Sequence, residues 1–306
     1  MSRQGIYVET FIRGSLDDLW QKTQTPQLHQ RWDLRFSEIE YLPRPDPAQP
    51  QQFRYTTRIA FGLRISGAGE SLGTRDDPAT GATSALKFWS DDPKSLIRKG
   101  SGYWKYIAQE GGVRFLTWYD YETRFGALGR LFDWIIFRPL ISWATAWSFD
   151  RLRLWIEQQI DPGVSLRSSV IYALARIVVG FIWLYHGLLP KLLFLSKDEM
   201  ALLMNTGLRP DAALMIVRIV GIAEIVLGLA TLLGWRWRWP LLVSLGLLGV
   251  ATVGVIVTSP AYAVAAFNPV TLNLATMALA VIALISDRDL PSARHCQRQP
   301  KEANKA

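Results

Sequence analysis

Four long apolar stretches in the second half of this 306-residue chain restrict its fold more than any other feature. They cover 170–189, 212–233, 240–258 and 270–285. A helix needs about 20 residues to cross the hydrocarbon core of a bilayer, and the first three stretches reach that length. The fourth is shorter, but Asn268 and Pro269 supply a helix cap and a first-turn proline before it. The sequence therefore predicts an all-α bundle of four transmembrane helices.

Lys and Arg near the ends of these stretches predict the orientation, because cytoplasmic loops carry an excess of them. One side has Arg167, Arg236, Arg238, Arg288, Arg294 and Arg298, and the other has Lys191, Lys197 and Arg209. The residues from Met1 through Glu9 lack the long apolar core of a signal peptide. We expect a multi-pass protein of the bacterial inner membrane, with the N-terminal domain and the C-terminal tail in the cytoplasm.

Ionisable residues inside a span cost several kcal/mol unless they are paired or hydrated. The four such residues are Arg176, His186, Arg218 and Glu224. At a rise of 1.5 Å per residue, Arg176 and Glu224 lie at about 10 and 15 Å from the same side, which predicts a side-chain pair. The pair would either clamp the helix register or belong to a ligand or proton site in a polar cavity.

Short motifs in this region resemble the DoxX-like membrane family over about 168–286. They are Arg176-Ile-Val-Val-Gly180 with Gly187 and Lys191, and Arg218-Ile-Val-Gly221-Ile-Ala-Glu224 with Gly228. The wider family is linked to thiosulfate:quinone oxidoreductase subunits and to membrane oxidoreductase complexes. The resemblance implies a location in the membrane and would admit a quinone.

The first half alternates apolar and polar residues in the way of a half-buried antiparallel sheet. Strands are predicted near 5–13, 35–43, 51–61, 63–73, 82–91, 96–109 and 113–124, with the glycines at 67 and 69 marking a bulge or bend. Ser15 and Thr25-Pro26 begin two short helices. A long helix over 128–157, kinked at Pro139, closes the domain.

This order of one strand, two helices, six strands and a long helix is similar to the START/polyketide-cyclase-like (SRPBCC) superfamily. Leu16–Trp20, Thr25–Asp33 and the closing stretch 132–152 carry the likeness. The fold class implied is an α+β helix-grip domain, a curved antiparallel sheet around a long C-terminal helix, followed by the four-helix bundle. The expected domains are 1–160, 168–286 and a polar basic tail, 287–306.

The superfamily's fold encloses an apolar cavity, and aromatic side chains are suitable walls for it. The candidate cavity residues are Trp20, Trp32, Trp89, Trp104, Trp118, Tyr119 and Tyr121. Plain core packing is the better explanation for any single Trp, by about two to one, so these residues are candidates only as a group. The aromatic face of the long helix, with Arg130, Arg138, Arg151 and Arg153, would suit the bilayer surface, although packing against the sheet is the better explanation for most of its aromatics.

Catalytic and metal sites leave little trace in this sequence. The three histidines stand in distant contexts, so no metal site, catalytic triad or resident cofactor is predicted. His29 and Asp33 share a helix face and would form either an acid–base pair or, more simply, a solvated surface. The single cysteine, Cys296, excludes an internal disulfide, and the net charge of +8 forms no nucleic-acid-binding stripe.

Two functions fit these features best. A hydrolase or cyclase acting in the cavity would need a polar pair that the sequence does not single out, and a transporter with four spans would have to assemble as an oligomer. The first of the two is a non-catalytic, membrane-anchored binding protein for a hydrophobic small molecule or lipid. The second is an accessory membrane subunit of a quinone-linked oxidoreductase complex, with an oxidoreductase or a second copy of the chain as partner. In both, the lipid bilayer is a partner.

Overall fold

The computed structural model describes residues 5–46, 48–59, 62–77 and 81–300, with the backbone alone over 72–77. These residues form two compact units. The soluble unit comprises the described parts of Met1–Ser165 and Pro291–Ala306, and the membrane unit comprises Leu166–Leu290. The two units are described separately below.

The soluble unit is a seven-stranded antiparallel sheet with the order β1-β7-β6-β5-β4-β3-β2. Its strands are β1 (Ile6–Ile12), β2 (Glu38–Tyr41), β3 (Gln51–Arg58), β4 (Arg64–Asp77), β5 (Gly81–Trp89), β6 (Ile97–Gln109) and β7 (Gly112–Thr123). Its helices are α1 (Leu16–Gln24), α2 (Pro26–Trp32), α3 (Gly126–Phe132) and α4 (Arg138–Gln158). This is the order expected of the helix-grip fold, so the predicted fold class is confirmed.

The two short helices begin where the sequence predicts. The Ser15 hydroxyl accepts a hydrogen bond from the Asp18 amide at 3.1 Å, which satisfies one of the free amides at the start of α1. Pro26 opens α2, where a missing N–H costs nothing. α2 follows α1 after a single residue, Thr25, which is the C-cap of one helix and the N-cap of the other.

The core lies between one face of the sheet and α4. Alternate residues of β1 and β7, such as Val8 and Phe115, are fully buried there. The rings of Phe115 and Phe149 stack with centroids 4.5 Å apart, joining the sheet to α4. Because side chains of a strand point alternately to the two faces of the sheet, every second residue of these strands enters the core.

The glycines of β4 do not form the predicted bulge, and that prediction is wrong. β3 and β4 pair in a continuous register from Arg58 opposite Arg64 to Gln51 opposite Ser71. A Cβ on Gly69 would lie 2.5 Å from the Phe53 ring, and one on Gly67 would lie 2.4 Å from the ring of Tyr55. These glycines therefore leave room for aromatic rings that lie across the neighbouring strand.

The long closing helix is interrupted by one π-helical turn. α3 passes directly into this turn, Asp133–Phe137, and then into α4, whose first turn contains Pro139. The wider turn places the proline at a helix start, where its ring and missing N–H are tolerated. One side of this segment, with Gly129 and Asp133, faces the core, and the other side faces outward.

The membrane unit contains the four predicted spans. Its helices are α5 (Pro162–Leu188) with a π-helical extension (Leu189–Leu193), α6 (Lys197–Met204), α7 (Pro210–Leu233), α8 (Trp239–Thr258), α9 (Pro260–Ala263) and α10 (Pro269–Ser286). α5 with its extension, α7, α8 and α10 are long and apolar enough to cross a bilayer. Asn268 caps α10 through the Thr271 amide, as predicted.

Close backbone approach joins α5 to α7. A Cβ on Gly187 would lie 2.5 Å from the Gly221 carbonyl oxygen, and one on Gly228 would lie 2.9 Å from that of Gly180. Small residues at matching positions permit this contact, and close van der Waals packing of this kind contributes to helix association in lipid. All four glycines belong to the short motifs singled out in the sequence.

The segment after the last span returns to the soluble unit, where the sequence suggested only a polar tail. Gln297 and Glu9 exchange two backbone hydrogen bonds, of 2.8 and 2.9 Å, and so add a bridge to the edge strand β1. The buried carboxylate of Asp150 accepts hydrogen bonds from the Ser292 amide and from His295 Nδ1, at 2.7 and 2.8 Å. Cys296 is buried among the core residues.

Candidate functional site

A buried polar cluster lies where α2 ends inside the soluble unit. His29 and Asp33 are one helical turn apart, and His29 Nε2 lies 3.0 Å from Asp33 Oδ2. Asp33 is only 1% exposed and His29 9%, so the interpretation of this pair as a solvated helix face is wrong. The sequence shows their shared face but not that the sheet covers it.

Arg35 completes the cluster with a bidentate contact to Asp33. Its Nε lies 2.9 Å from Asp33 Oδ1 and its Nη2 lies 2.6 Å from Asp33 Oδ2, a geometry that joins both oxygens to the planar guanidinium. The guanidinium also lies over the ring of Tyr119, 5.5 Å from the centroid. The Tyr119 hydroxyl is 2.9 Å from the Thr145 hydroxyl on α4, so the cluster spans from α2 through β7 to the long helix.

The charges of this cluster follow from burial and partners. Burial by itself would raise the pKa of Asp33, but the charge and hydrogen bonds of Arg35, with the bond to His29, outweigh it and hold that pKa well below its usual range. Burial lowers the pKa of His29, and Asp33 offsets this only in part. At neutral pH the cluster is therefore an ion pair beside a neutral imidazole. If Nε2 carries the proton that Asp33 accepts, Nδ1 has the lone pair.

Aromatic rings surround the imidazole. The ring of Trp32 stacks against His29 with centroids 5.1 Å apart, and Trp104 and Phe36 meet it edge-on at 4.9 and 5.3 Å. A polar group within such walls is surrounded by a low dielectric, which strengthens its interactions with any group that replaces water.

The structure separates the predicted cavity residues into two faces. Trp32, Trp104, Tyr119 and Tyr121 are buried in the core, and Trp20 packs against it. Trp118 is 37% exposed and stacks on Tyr103 on the opposite face of the sheet. Trp89 alternates with the core residue Phe88, so it also points away from the core. Trp118 and Trp89 therefore cannot share one interior cavity with the other five, because neighbouring strand residues face opposite sides.

Arg151 has a structural task that the sequence did not reveal. The sequence suggests a cation at the bilayer surface, but Arg151 is 3% exposed. It donates to the carbonyl oxygens of Arg31 and Trp32, at 2.9 and 3.1 Å, and to that of Pro162 at 2.7 Å. These bonds satisfy the last carbonyls of α2. They fix the helix end that presents Asp33 to Arg35.

In the membrane unit the predicted pair of Arg176 and Glu224 does not form. Arg176 is fully buried and donates to the carbonyl oxygens of Thr231, Gly234 and Trp237 at 2.7, 2.6 and 2.8 Å. The carbonyls of Thr231 and Gly234 lie at the C-terminal end of α7, whose negative macrodipole end favours a cation, and that of Trp237 lies in the loop that follows. The helix depths of Arg176 and Glu224 predict only a side-chain partner, whereas the partners are backbone carbonyl oxygens, whose positions a sequence does not show.

Glu224 instead meets a lysine from the first span. Lys191 Nζ lies 3.2 Å from Glu224 Oε2 and 2.9 Å from Glu199 Oε1. Lys191 itself is 7% exposed and lies in the π-helical extension of α5. His186 is half-buried, one turn before it, with its ring against Tyr185. Arg218 lies on the exposed side of α7, apart from this group.

Two clefts in the described part of the chain lie outside the core of the soluble unit. One of about 380 Å³ is lined by Arg238, Arg288 and apolar residues of α10 in the membrane unit. The other, of about 370 Å³, lies on the outward face of the sheet beside Tyr103 and Trp118. The expected interior cavity remains a prediction.

Four membrane-length helices, two of them joined by glycine contacts, and a helix-grip unit before them define an integral membrane protein of two parts. Residues 180–281 match the DoxX-like family. The chain is 50% identical over 188 residues to the uncharacterized membrane protein YndG of Bacillus subtilis (strain 168), which covers 61% of this chain and 70% of that protein. It belongs to the same family as YndG.

Solved structures similar to the soluble unit include aromatase/cyclases. The di-domain aromatase/cyclase StfQ of the steffimycin biosynthetic pathway is 16% identical, covering 51% of this chain and 52% of that one, with a TM-score of 0.40. The Zhui aromatase/cyclase of Streptomyces sp. R1128 is 13% identical, covering 45% and 87%, with a TM-score of 0.35. The fold assignment rests on the strand order and helix packing of this chain itself.

Proposed function

We propose that this protein is a membrane-anchored binding protein for a hydrophobic small molecule or lipid, held in the soluble unit beside the cluster of His29, Asp33 and Arg35. The observation that carries the proposal is the fully buried carboxylate of Asp33, paired with a largely buried Arg35 and beside the buried imidazole of His29 among aromatic rings. A buried ion pair adds little to stability compared with apolar packing, so its presence is better explained by recognition.

The cluster favours an amphiphilic ligand. The rings of Trp32 and Trp104 would contact its apolar body, and the lone pair of His29 or the hydroxyl of Tyr119 would meet one polar end, such as a hydroxyl or carbonyl group. Small-molecule sites commonly combine apolar walls with a few placed polar groups. Because Asp33 and Arg35 satisfy each other, the site carries little net charge, which favours a neutral ligand over an ionic one.

Attachment to the membrane supports the same function. α4 ends at Gln158 and the first span begins at Pro162, so the soluble unit stays close to the lipid phase in which hydrophobic molecules partition. Such a tether raises the local concentration of the ligand without any new contact.

The test is to identify what the full-length protein retains. Protein purified in detergent would be extracted with organic solvent and analysed by mass spectrometry, alongside His29→Phe and, as a matched control on the opposite sheet face, Trp118→Phe. We expect one apolar compound enriched near one per chain in the wild type and in the Trp118 variant, and depleted several-fold in His29→Phe. Equal lipid content in all three proteins would refute the proposal.

We propose further that the protein lies in the bacterial cytoplasmic membrane with its soluble unit inside the cell. Arg236 and Arg238 in the loop between α7 and α8 support this orientation. An even number of spans also agrees with the pairing of Glu9 and Gln297 in one unit. A periplasmic reporter enzyme fused at Thr206 should be active and one fused at Trp237 inactive, and the reverse pattern would overturn the orientation.

The second candidate is an accessory subunit of a quinone-linked oxidoreductase complex. It is favoured by the buried contact of Lys191 with Glu199 and Glu224, since intramembrane ionisable groups commonly mark proton or ligand sites. These side chains can move protons but carry no electrons, so a partner enzyme would have to supply them. A photoreactive quinone analogue should label the wild type and label Glu224→Gln less, and equal labelling of both would exclude this role for the cluster.

A further inference from the structure

The outward side of the long helical segment is unusually apolar for a surface exposed to water. Six large residues recur at helical spacing along it and are 43–79% exposed: Leu128, Leu131, Ile135, Ile136, Leu140 and Trp143. We call this set the outward stripe. A contiguous apolar surface of more than a few hundred Å² on a soluble unit marks an interaction site.

The segment has two apolar sides, and the sheet covers only one of them. Phe137 and Ile141 pack against the core, while Ile136 and Leu140, each one residue earlier, are 51% and 55% exposed. A helix that is apolar all round needs apolar contact on both sides. The sheet supplies one contact, and the outward stripe requires another.

The charged residues of the segment indicate which kind of surface contacts the outward stripe. Within the described residues 125–143 there is one carboxylate, Asp133, and it is 1% exposed, bound by the Tyr121 hydroxyl at 2.6 Å and by Arg138 at 3.1 Å. Arg130 is the exposed charged residue of the same range. The stripe therefore offers apolar area beside a cation and no exposed anion, which suits a surface of anionic lipid headgroups over acyl chains.

Chain connectivity holds the stripe near lipid at all times. Trp143 lies 19 residues before Pro162, the start of the first span, and most of that distance is helix. At 1.5 Å for each helical residue and up to about 3.6 Å for each of the four steps after Gln158, the separation is at most about 37 Å. We infer that the outward stripe lies in the interface of the same bilayer that the four spans cross. The long helix then contacts the sheet along one side and lipid along the other.

Nitroxide labels on the full-length protein test the inference. Cys296, the single cysteine, is buried, so the labelled wild type serves as the blank. Labels would be placed at Leu131→Cys and Ile135→Cys, with Lys87→Cys on the sheet as the control, since its side chain is 72% exposed. In vesicles of phosphatidylethanolamine and phosphatidylglycerol, we expect collisions with oxygen to exceed collisions with a water-soluble nickel complex at the two stripe positions, and the reverse at Lys87→Cys.

Two results would overturn it. One is nickel access at the stripe equal to that of the control, which means water. The other is spin–spin broadening that grows with protein density while oxygen access stays low, which means that a second copy covers the stripe. Neither result bears on the proposed ligand, which is measured by extraction.

A measurement on the unmodified protein guards against misfolded variants. Trp134 is 68% exposed in the same segment, and Trp118 is 37% exposed on the sheet. In water alone Trp134 would be oxidised faster by hydroxyl radicals. In vesicles we expect Trp118 to be oxidised several-fold faster than Trp134, and the opposite order would refute contact with lipid.

Discussion

Arg176 shows at the scale of one residue how a charge can be buried in a membrane bundle without a counter-ion. Its guanidinium fills a cage of three backbone carbonyl oxygens and the Tyr172 hydroxyl. Arg151 does the same for α2 in the soluble unit. Both arginines could be singled out from the sequence, but their partners could not. The carbonyl oxygens at a helix end come within reach of the guanidinium only once the helices have packed.

Replacing Arg176 with Lys should destabilise the membrane unit by about 2–4 kcal/mol. Lysine has one ammonium group on a shorter side chain in place of the planar guanidinium. It would leave buried carbonyl oxygens without donors, each at a cost of about 1–3 kcal/mol. Unfolding by sodium dodecyl sulfate in mixed micelles measures the loss. Arg218→Lys is the matched control on the exposed side of α7 and should change little. An Arg176→Lys protein as stable as the wild type would contradict the carbonyl cage.

His29 should make the soluble unit less stable in mild acid. Burial lowers its pKa below the ordinary 6.5. Between the folded and the unfolded pKa, the imidazole therefore binds a proton in the unfolded chain but not in the folded chain. Stability is therefore complete above pH 6.5 and falls as the pH decreases toward the folded pKa. Hydrogen–deuterium exchange at the imidazole C2 position, read by mass spectrometry, should give His29 a pKa below 6.5, and His29→Gln should weaken the acid dependence of unfolding. A pKa at or above 6.5 would contradict the burial.

Elements were more predictable than their contacts. The strands, the two short helices and the spans follow from periodicity and capping residues, which act within a few positions of the chain. The side of α3 and α4 that enters the core is not predicted by periodicity, because both sides are apolar. The assignment of most aromatics of this segment to the core is wrong for Phe132 and Trp143, which are exposed. The glycines of α5 and α7 were visible as motif residues, yet only the structure shows that they touch.

Gly221 should tolerate no larger side chain. A Cβ there would lie 2.9 Å from both the Gly187 carbonyl oxygen and Lys191 Cβ, so Gly221→Val must push α5 and α7 apart. We expect a loss of about 1–3 kcal/mol, the usual cost of overpacking. Gly246→Val on α8, where nothing lies within 4 Å of the added carbon, is the control and should leave thermal unfolding in detergent unchanged. Equal effects of the two substitutions would argue against close helix contact.

At the scale of the whole molecule, the chain crosses its bundle four times and then closes back onto the unit where it began. This return could not be predicted from the sequence, because Ser292 to Gln297 carries neither strand nor helix periodicity. The segment is held by hydrogen bonds to Asp150, Ala146 and Glu9. Irregular segments of this kind are fixed by tertiary partners, which local patterns do not encode. The bridge also covers part of the edge strand β1, which would otherwise offer free backbone groups for pairing with another chain.

Cys296 can report whether this closure exists in solution. Burial raises the pKa of its thiol to about 12, and the side chain lies in the core, so a maleimide should label the native full-length protein very slowly. Gln297→Pro removes the N–H that donates to the Glu9 carbonyl oxygen, and we expect labelling to accelerate at least several-fold. Gln299→Pro, two residues further along, is the control and should label as slowly as the wild type. Rapid labelling of the wild-type protein would mean that the segment is not packed onto the soluble unit, whereas slow labelling of all three proteins would mean that the backbone bridge contributes nothing to holding it there.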